Sequence, residues 1–213
     1  MPAVPAAFPP PAPWLELAGR VVCALGLSVF AWRVFQEFMT HGGVVLLLLL
    51  VAETLTVVLV ILARFARQVD HRAPAFALTV LATFYFLFLD LELDRTVRLA
   101  PPVVSLTLQF AGVTLQILGK LWLGSRFGLL PGNRGVVTGG PYRFIRHPIY
   151  FGYFLAHVGF LLNRCSLYNA ALYLALYLAQ FGRCLKEEEL LLKDPEYSAY
   201  AARVRHRFIP GVL

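Results

Sequence analysis

Charge is what this sequence has least of. Only 15% of its 213 residues are Asp, Glu, Lys or Arg, while 59% are hydrophobic and the mean hydropathy is +0.68. An ordinary soluble domain is about 25% charged and about 45–50% apolar. A soluble fold of this size has no core large enough to hide the remainder, so that class is excluded. Disorder is excluded by the same balance, because disordered chains are polar and charge-rich. Cysteine is scarce too. Cys23, Cys165 and Cys184 show no paired spacing, which removes a disulfide framework or a thiolate zinc site and leaves apolar free thiols. His41, His71, His157 and His206 share no ligand spacing, so no metal is expected. The net charge is +7, and the basic residues cluster between apolar runs. That pattern points to the cytoplasmic side of a membrane protein and away from nucleic acid.

What is present is a series of apolar runs. They cover Trp14 to Phe38, broken by Arg20 and Arg33, then Val44 to Ala63 with one charge at Glu53, Pro74 to Leu89, Val103 to Gly119, Pro148 to Leu162, and Leu167 to Phe181. A spanning helix needs about 20 apolar residues, with a range near 17–25. The last two runs are short and read as a helical hairpin turning at 163–166. The expected fold is all-α: a polytopic integral membrane helical bundle of five to six membrane segments, the last two a hairpin, followed by cytoplasmic C-terminal helices. Residues 1–13, MPAVPAAFPPPAP, have neither a basic start nor an apolar stretch before the prolines. They read as a disordered or extended tail and not as a signal peptide. Residues 14–213 read as one domain, with N-terminal spans over 14–123 and the chemically richer part over 124–213. Most of the 19 Lys and Arg fall between runs two and three, between Lys120 and Arg146, and after Arg183. The positive-inside rule then puts those segments and both termini in the cytoplasm.

Several residues carry local expectations. Asp194-Pro195 predicts the end of one helix and the start of another. Leu190, Leu191 and Leu192 are expected to pack on the bundle, and Tyr197 and Tyr200 to sit at the headgroup level. Glu53 is expected either to line a substrate path or to pair with Arg20 or Arg33 inside the bundle. Asp90, Glu92 and Asp94 with Arg95 and Arg98 read as a solvated interface cluster, and His157 as a satisfied core histidine. Phe84, Phe86 and Phe88 read as packing or lipid-facing residues. Gly112, Gly119 and Gly124 are expected to allow close helix contacts.

Two dense constellations carry the chemistry. The first is the stretch from Val136 to Gly152, VVTGGPYRFIRHPIYFG. Gly139 and Gly140 permit close backbone approach to a ligand. Pro148 can start a helix whose free amides attract anionic groups, with Arg146 and His147 just before it. A basic loop touching lipid phosphates fits the same local physics. The second is Arg183-Cys184-Leu185-Lys186-Glu187-Glu188. Arg183 and Glu187 share a helix face and form either an intrahelical ion pair or a surface for a ligand bearing both a carboxylate and a cation. Arginine suits bidentate carboxylate recognition.

Taken in order, Val137-Thr138-x-Gly140-x-Tyr142, Arg146-His147-Pro148-x-Tyr150-x-Gly152, Arg183-x-x-x-Glu187-Glu188 and Tyr197-x-x-Tyr200 resemble the isoprenylcysteine carboxyl methyltransferase family, a pattern much of which membrane phospholipid methyltransferases share. The resemblance covers roughly Lys120 to Leu213. It implies S-adenosylmethionine as cofactor, with S-adenosylhomocysteine as its product. It also implies a lipophilic small-molecule or lipidated substrate, and a site in contact with membrane lipids. By the same resemblance Val136, Val137, Tyr142, His147, Pro148, Tyr150, Glu187 and Glu188 are cofactor-binding. Arg183 is placed by the substrate carboxylate, and Arg146 supports the site. Arg134 stands where eukaryotic members often have a histidine, and the segment between Glu188 and Tyr197 is shorter. Both departures fit a prokaryotic branch, which implies a cytoplasmic membrane; a eukaryotic source would imply the endoplasmic reticulum.

A prenylated cysteine carboxylate, a short lipophilic acid, a phospholipid amine and a small thiol all remain open as acceptors. Integral-membrane NADPH-dependent reductases share the His-Pro-x-Tyr-x-Gly segment and the Tyr-x-x-Tyr tail. The Arg183-x-x-x-Glu187-Glu188 motif fits the methyltransferases better, and no further basic cluster is left to hold a 2′-phosphate. A non-catalytic scaffold would not need such a density of polar residues in two cytoplasmic segments.

Overall fold

Each apolar run becomes a helix, and the polar tail adds a last one. The computed structural model describes residues 13–69, 73–89 and 96–209. Its helices are α1 (Pro13–His41), α2 (Val44–Leu62), α3 (Ala73–Phe84, continued as a 3-10 turn over Tyr85–Phe88), α4 (Pro102–Leu123), α5 (Pro148–Asn163), α6 (Leu167–Leu191) and α7 (Pro195–Arg203). Their limits follow from the local sequence. Gly42 and Gly43 take φ of 65° and 100° and reverse the chain between α1 and α2, a conformation that glycine adopts without strain. The Ser166 hydroxyl caps α6 by accepting from the Asn169 amide at 3.0 Å. Asp194 caps α7 by accepting from the Glu196 amide at 2.9 Å, with Pro195 in the first turn. The expected break at Asp194-Pro195 is therefore real.

Among the described residues, three helices are long and apolar enough to cross a membrane, over Glu16–His41, Val44–Leu62 and Pro102–Arg126. The hairpin α5–α6 is present, but α5 has 16 residues, and α6 turns polar from Gln180 onward. Large apolar side chains face outward, among them Leu25 and Leu62, each 64% exposed. In water such a belt is unfavourable; in lipid it is the expected outer face.

The tightest helix pair is α4 with α5, and small residues make it so. A β-carbon on Gly112 would lie 2.5 Å from the Ala156 amide nitrogen, one on Gly152 2.7 Å from the Gly112 carbonyl, and one on Gly159 2.6 Å from the Ser105 carbonyl. Ser105, Gly112 and Gly119 recur every seven residues along one face of α4, and Gly152 and Gly159 answer them on α5. Close backbone approach through small residues is a usual route to helix association in lipid. Gly124 plays another role: nothing lies near it, and with φ of 52° it closes the end of α4.

The connections gather at two ends. At one end β1 (Gln68–Val69) pairs antiparallel with β2 (Gly132–Asn133). There too the Arg146 and His147 amides donate to the carbonyls of His206 and Arg207, both at 2.9 Å. At the other end Val97 and Cys165 exchange backbone hydrogen bonds of 2.7 and 2.9 Å. None of these pairings is visible in a hydropathy pattern.

Inside the bundle, His157 is buried with the Tyr85 hydroxyl 2.6 Å from Nε2 and the Tyr177 hydroxyl 2.7 Å from Nδ1, the satisfied core histidine expected. Glu53 is buried, but the expected partners are elsewhere. Arg20 is held by Glu16, Arg33 is exposed, and the cation facing Glu53 is Lys120. Lys120 is fully buried and donates to the Ala52 carbonyl at 3.3 Å. The pairing shifts because Lys120 sits near the end of α4, which packs on α2. Leu190 is buried as expected, whereas Leu192 is 42% exposed because the chain turns there into α7. Residues 1–12, His71 and the Asp90 to Arg95 cluster lie outside the described residues.

The α4–α5 contact makes a direct prediction. Gly112→Ala should cost about 1–3 kcal/mol through overpacking against fixed backbone, read as a lowered Tm in detergent. Gly19→Ala, where nothing lies within 4 Å, should leave Tm unchanged.

Candidate functional site

The segment between α4 and α5 folds back over the end of the bundle. Its Gly139-Gly140 pair, which the sequence suggested for close approach to a ligand, lies against the Trp122 indole. A β-carbon on Gly140, which has φ of 54°, would lie 2.4 Å from that ring. The tight approach starts a 3-10 turn over Gly140–Arg143 and aims Tyr142 inward. Its hydroxyl reaches the Gly119 carbonyl at 3.4 Å, and its own carbonyl accepts from the Tyr200 hydroxyl at 2.7 Å. Tyr197 and Tyr200 are 5% and 2% exposed. Their spacing puts both on one face of α7, and that face packs on Tyr142.

Glu188 is the polar centre beside this cluster. Its carboxylate oxygens accept from Arg146 Nη1 at 2.6 Å, His147 Nε2 at 2.9 Å and the Tyr197 hydroxyl at 2.6 Å. Arg207 Nε lies 3.9 Å away. Three chain segments thus meet on one buried carboxylate. Burial alone would lower the His147 pKa, but Cys184 and Glu188 raise it to about 10. The imidazole is therefore protonated at neutral pH.

Beside this centre opens a cavity walled by α6, α7, the start of α5 and the segment between α4 and α5. Arg183, Arg146, Val136, Val137, Tyr142, His147, Tyr150 and Glu187 all lie on its wall, whereas Pro148 and Glu188 do not. Pro148 is buried in the first turn of α5, and Glu188 is occupied by its three donors. Glu187 accepts from the Tyr150 hydroxyl at 2.9 Å. The Tyr150 ring stacks on His147, with centroids 5.3 Å apart, and Arg183 Cζ lies 5.6 Å from its centroid. Arg183 donates to the Leu129 carbonyl, and its Nε has no hydrogen-bond partner. Arg183 and Glu187 thus spend their charges on the cavity wall and not on each other.

Sequence reasoning did not single out Arg126, noted Arg134 only as a departure from the family pattern, and gave Tyr197 and Tyr200 as a motif without a place at the cavity. Tyr197 and Tyr200 line the cavity, as do Arg126 and Arg134. The Arg134 side chain is nearly enclosed and held by Glu16 Oε1 at 3.3 Å, the oxygen that also accepts from Arg20 at 2.7 Å. Arg20 in turn donates to the carbonyls of Ala63 and Arg64 at 2.5 and 2.9 Å. The start of α1 is therefore wired to the cavity wall. A glutamate and an arginine four apart in an apolar run were the available signal, since both need partners there.

Residues 103–193 match the sequence profile of the isoprenylcysteine carboxyl methyltransferase (ICMT) family. The chain is also 31% identical over 102 residues to the nickel-cobalt-cadmium resistance protein NccN of Alcaligenes xylosoxydans xylosoxydans. That similarity covers 46% of each protein, so this chain matches less than half the length of that relative.

The Glu188 centre predicts a pH signature. A histidine raised from 6.5 to about 10 on folding contributes stability that is complete below pH 6.5. The contribution declines as pH rises and is gone near pH 10. The Tm gap between wild type and His147→Gln should follow that course. Glu188→Gln, which strands buried cations, should cost about 3–5 kcal/mol at neutral pH.

Proposed function

We propose that the chain is an S-adenosylmethionine-dependent methyltransferase that acts on a lipophilic acceptor, with an isoprenylcysteine-like carboxylate as the foremost candidate. The observation that carries this reading is the meeting of Glu187, Tyr150 and Arg183 in one cavity at the end of an apolar bundle. The residues present suit the cofactor. Glu187 on the cavity wall offers a carboxylate to ribose hydroxyls or an amine, and Val136, Val137 and Tyr142 form an apolar wall. When bound, S-adenosylmethionine supplies a methyl group already activated on a sulfonium.

The chain's task is then alignment and exclusion of water. Arg183, 8% exposed, orients the acceptor carboxylate. That carboxylate is ionised at neutral pH, so no base is needed. His147 cannot serve as one, because Glu188 keeps it protonated. Tyr150 stands between the two charged residues and holds Glu187 in place.

The same reading covers topology and domain organisation. The segments holding Arg64, Arg67, Arg126, Arg134, Arg143, Arg146 and the C-terminal arginines are hydrogen-bonded together at one end. Arg98 and Arg164 flank the pairing at the other end. This supports six alternating membrane segments within a single domain over 14–213, with the cavity and the C-terminus in the cytoplasm.

Calorimetry on the detergent-purified full chain tests the reading. S-adenosylhomocysteine should bind, Glu187→Ala should weaken it about tenfold or more, and NADPH should give no heat. Binding of NADPH without either methyl cofactor would move the assignment to a reductase.

A further inference from the structure

We propose that Arg126 holds the carboxylate of the cofactor's amino-acid arm, an assignment that rests on the methyltransferase reading above. Four arginines line the cavity, and three are engaged by the protein. Arg134 is neutralised by Glu16 and Arg146 by Glu188. Arg183 is buried against Tyr150 and donates to a carbonyl. Arg126 forms no hydrogen bond or ion pair with another described residue. It is the exposed last residue of the 3-10 turn Gly124–Arg126 that follows α4.

Its side chain passes close to Gly135. A β-carbon on Gly135 would lie 3.2 Å from Arg126 Nε, so the side chain runs along bare backbone there. Gly135 has φ of 101°, and its amide donates to Asn133 Oδ1 at 2.9 Å. The neighbouring wall, Val136 and Val137, leads inward from that point.

Arg183 and Arg126 suit different carboxylates. One that accepts a methyl group must shed its water to react, which suits the buried Arg183. A carboxylate that takes no part in the reaction can stay half-hydrated at the mouth, which suits Arg126. Arginine's planar fork binds either in bidentate fashion.

Calorimetry with S-adenosylhomocysteine and its decarboxylated analogue tests this on the full chain. Wild type should prefer the intact ligand by about tenfold. Arg126→Gln should erase that preference by weakening the intact ligand alone, and Arg126→Lys should restore part of it. Arg183→Gln should leave the preference in place. Equal weakening of both ligands by Arg126→Gln, or loss of the preference in Arg183→Gln instead, overturns the assignment while leaving the methyltransferase reading intact. Wild type that binds neither ligand overturns both.

Discussion

A buried carboxylate must be paired or it destabilises the protein that buries it. Glu188 is the residue on which this constraint acts most heavily here. Its three hydrogen bonds come from the loop before α5, the first position outside that helix, and α7. None of these segments is long or apolar enough to hold its place alone. The carboxylate fixes where α7 lies against Tyr142, and with it the tyrosine wall of the cavity. It also explains why consecutive glutamates behave differently. Glu188 is consumed by structure, and Glu187, on the next position of the helix, is left to the cavity with Tyr150.

The distribution of arginines follows from the same electrostatics. Four of them line one cavity, which would repel one another without compensation. Glu16 and Glu188 neutralise two, from opposite sides and from distant parts of the sequence. The contribution of Glu16 ties α1 to a site that lies otherwise within the family-matched segment and the C-terminal tail. The N-terminal spans are therefore more than a membrane anchor, because the first of them completes the charge balance of the cavity wall.

The helices were legible because lipid leaves the chain few choices: backbone polar groups must be satisfied within each segment, so apolar runs become helices with little dependence on neighbours. The Asp194-Pro195 break and the core role of His157 were legible for local reasons of capping and hydrogen-bond need. The eight predicted residues that line the cavity were reached through motif order and not through periodicity. What failed depended on which helix packs on which. Glu53 faces Lys120 and not Arg20, because the proximity of α2 and α4 is a tertiary fact. Tyr197 and Tyr200 are amphipathic, and their sequence fits a membrane interface as well as a buried cluster. Gly139 and Gly140 signalled close approach correctly, but composition could not say that Trp122 was the neighbour.

The central claim is that the cavity moves a methyl group onto an acceptor that arrives from the lipid. The most direct test reconstitutes the protein in lipid nanodiscs with methyl-labelled S-adenosylmethionine and a prenylcysteine analogue, then follows the label into an organic-extractable product. The account predicts a base-labile methyl ester that forms with wild type and not with Arg183→Gln. No transfer of label to any lipophilic acid, amine or thiol offered would contradict it.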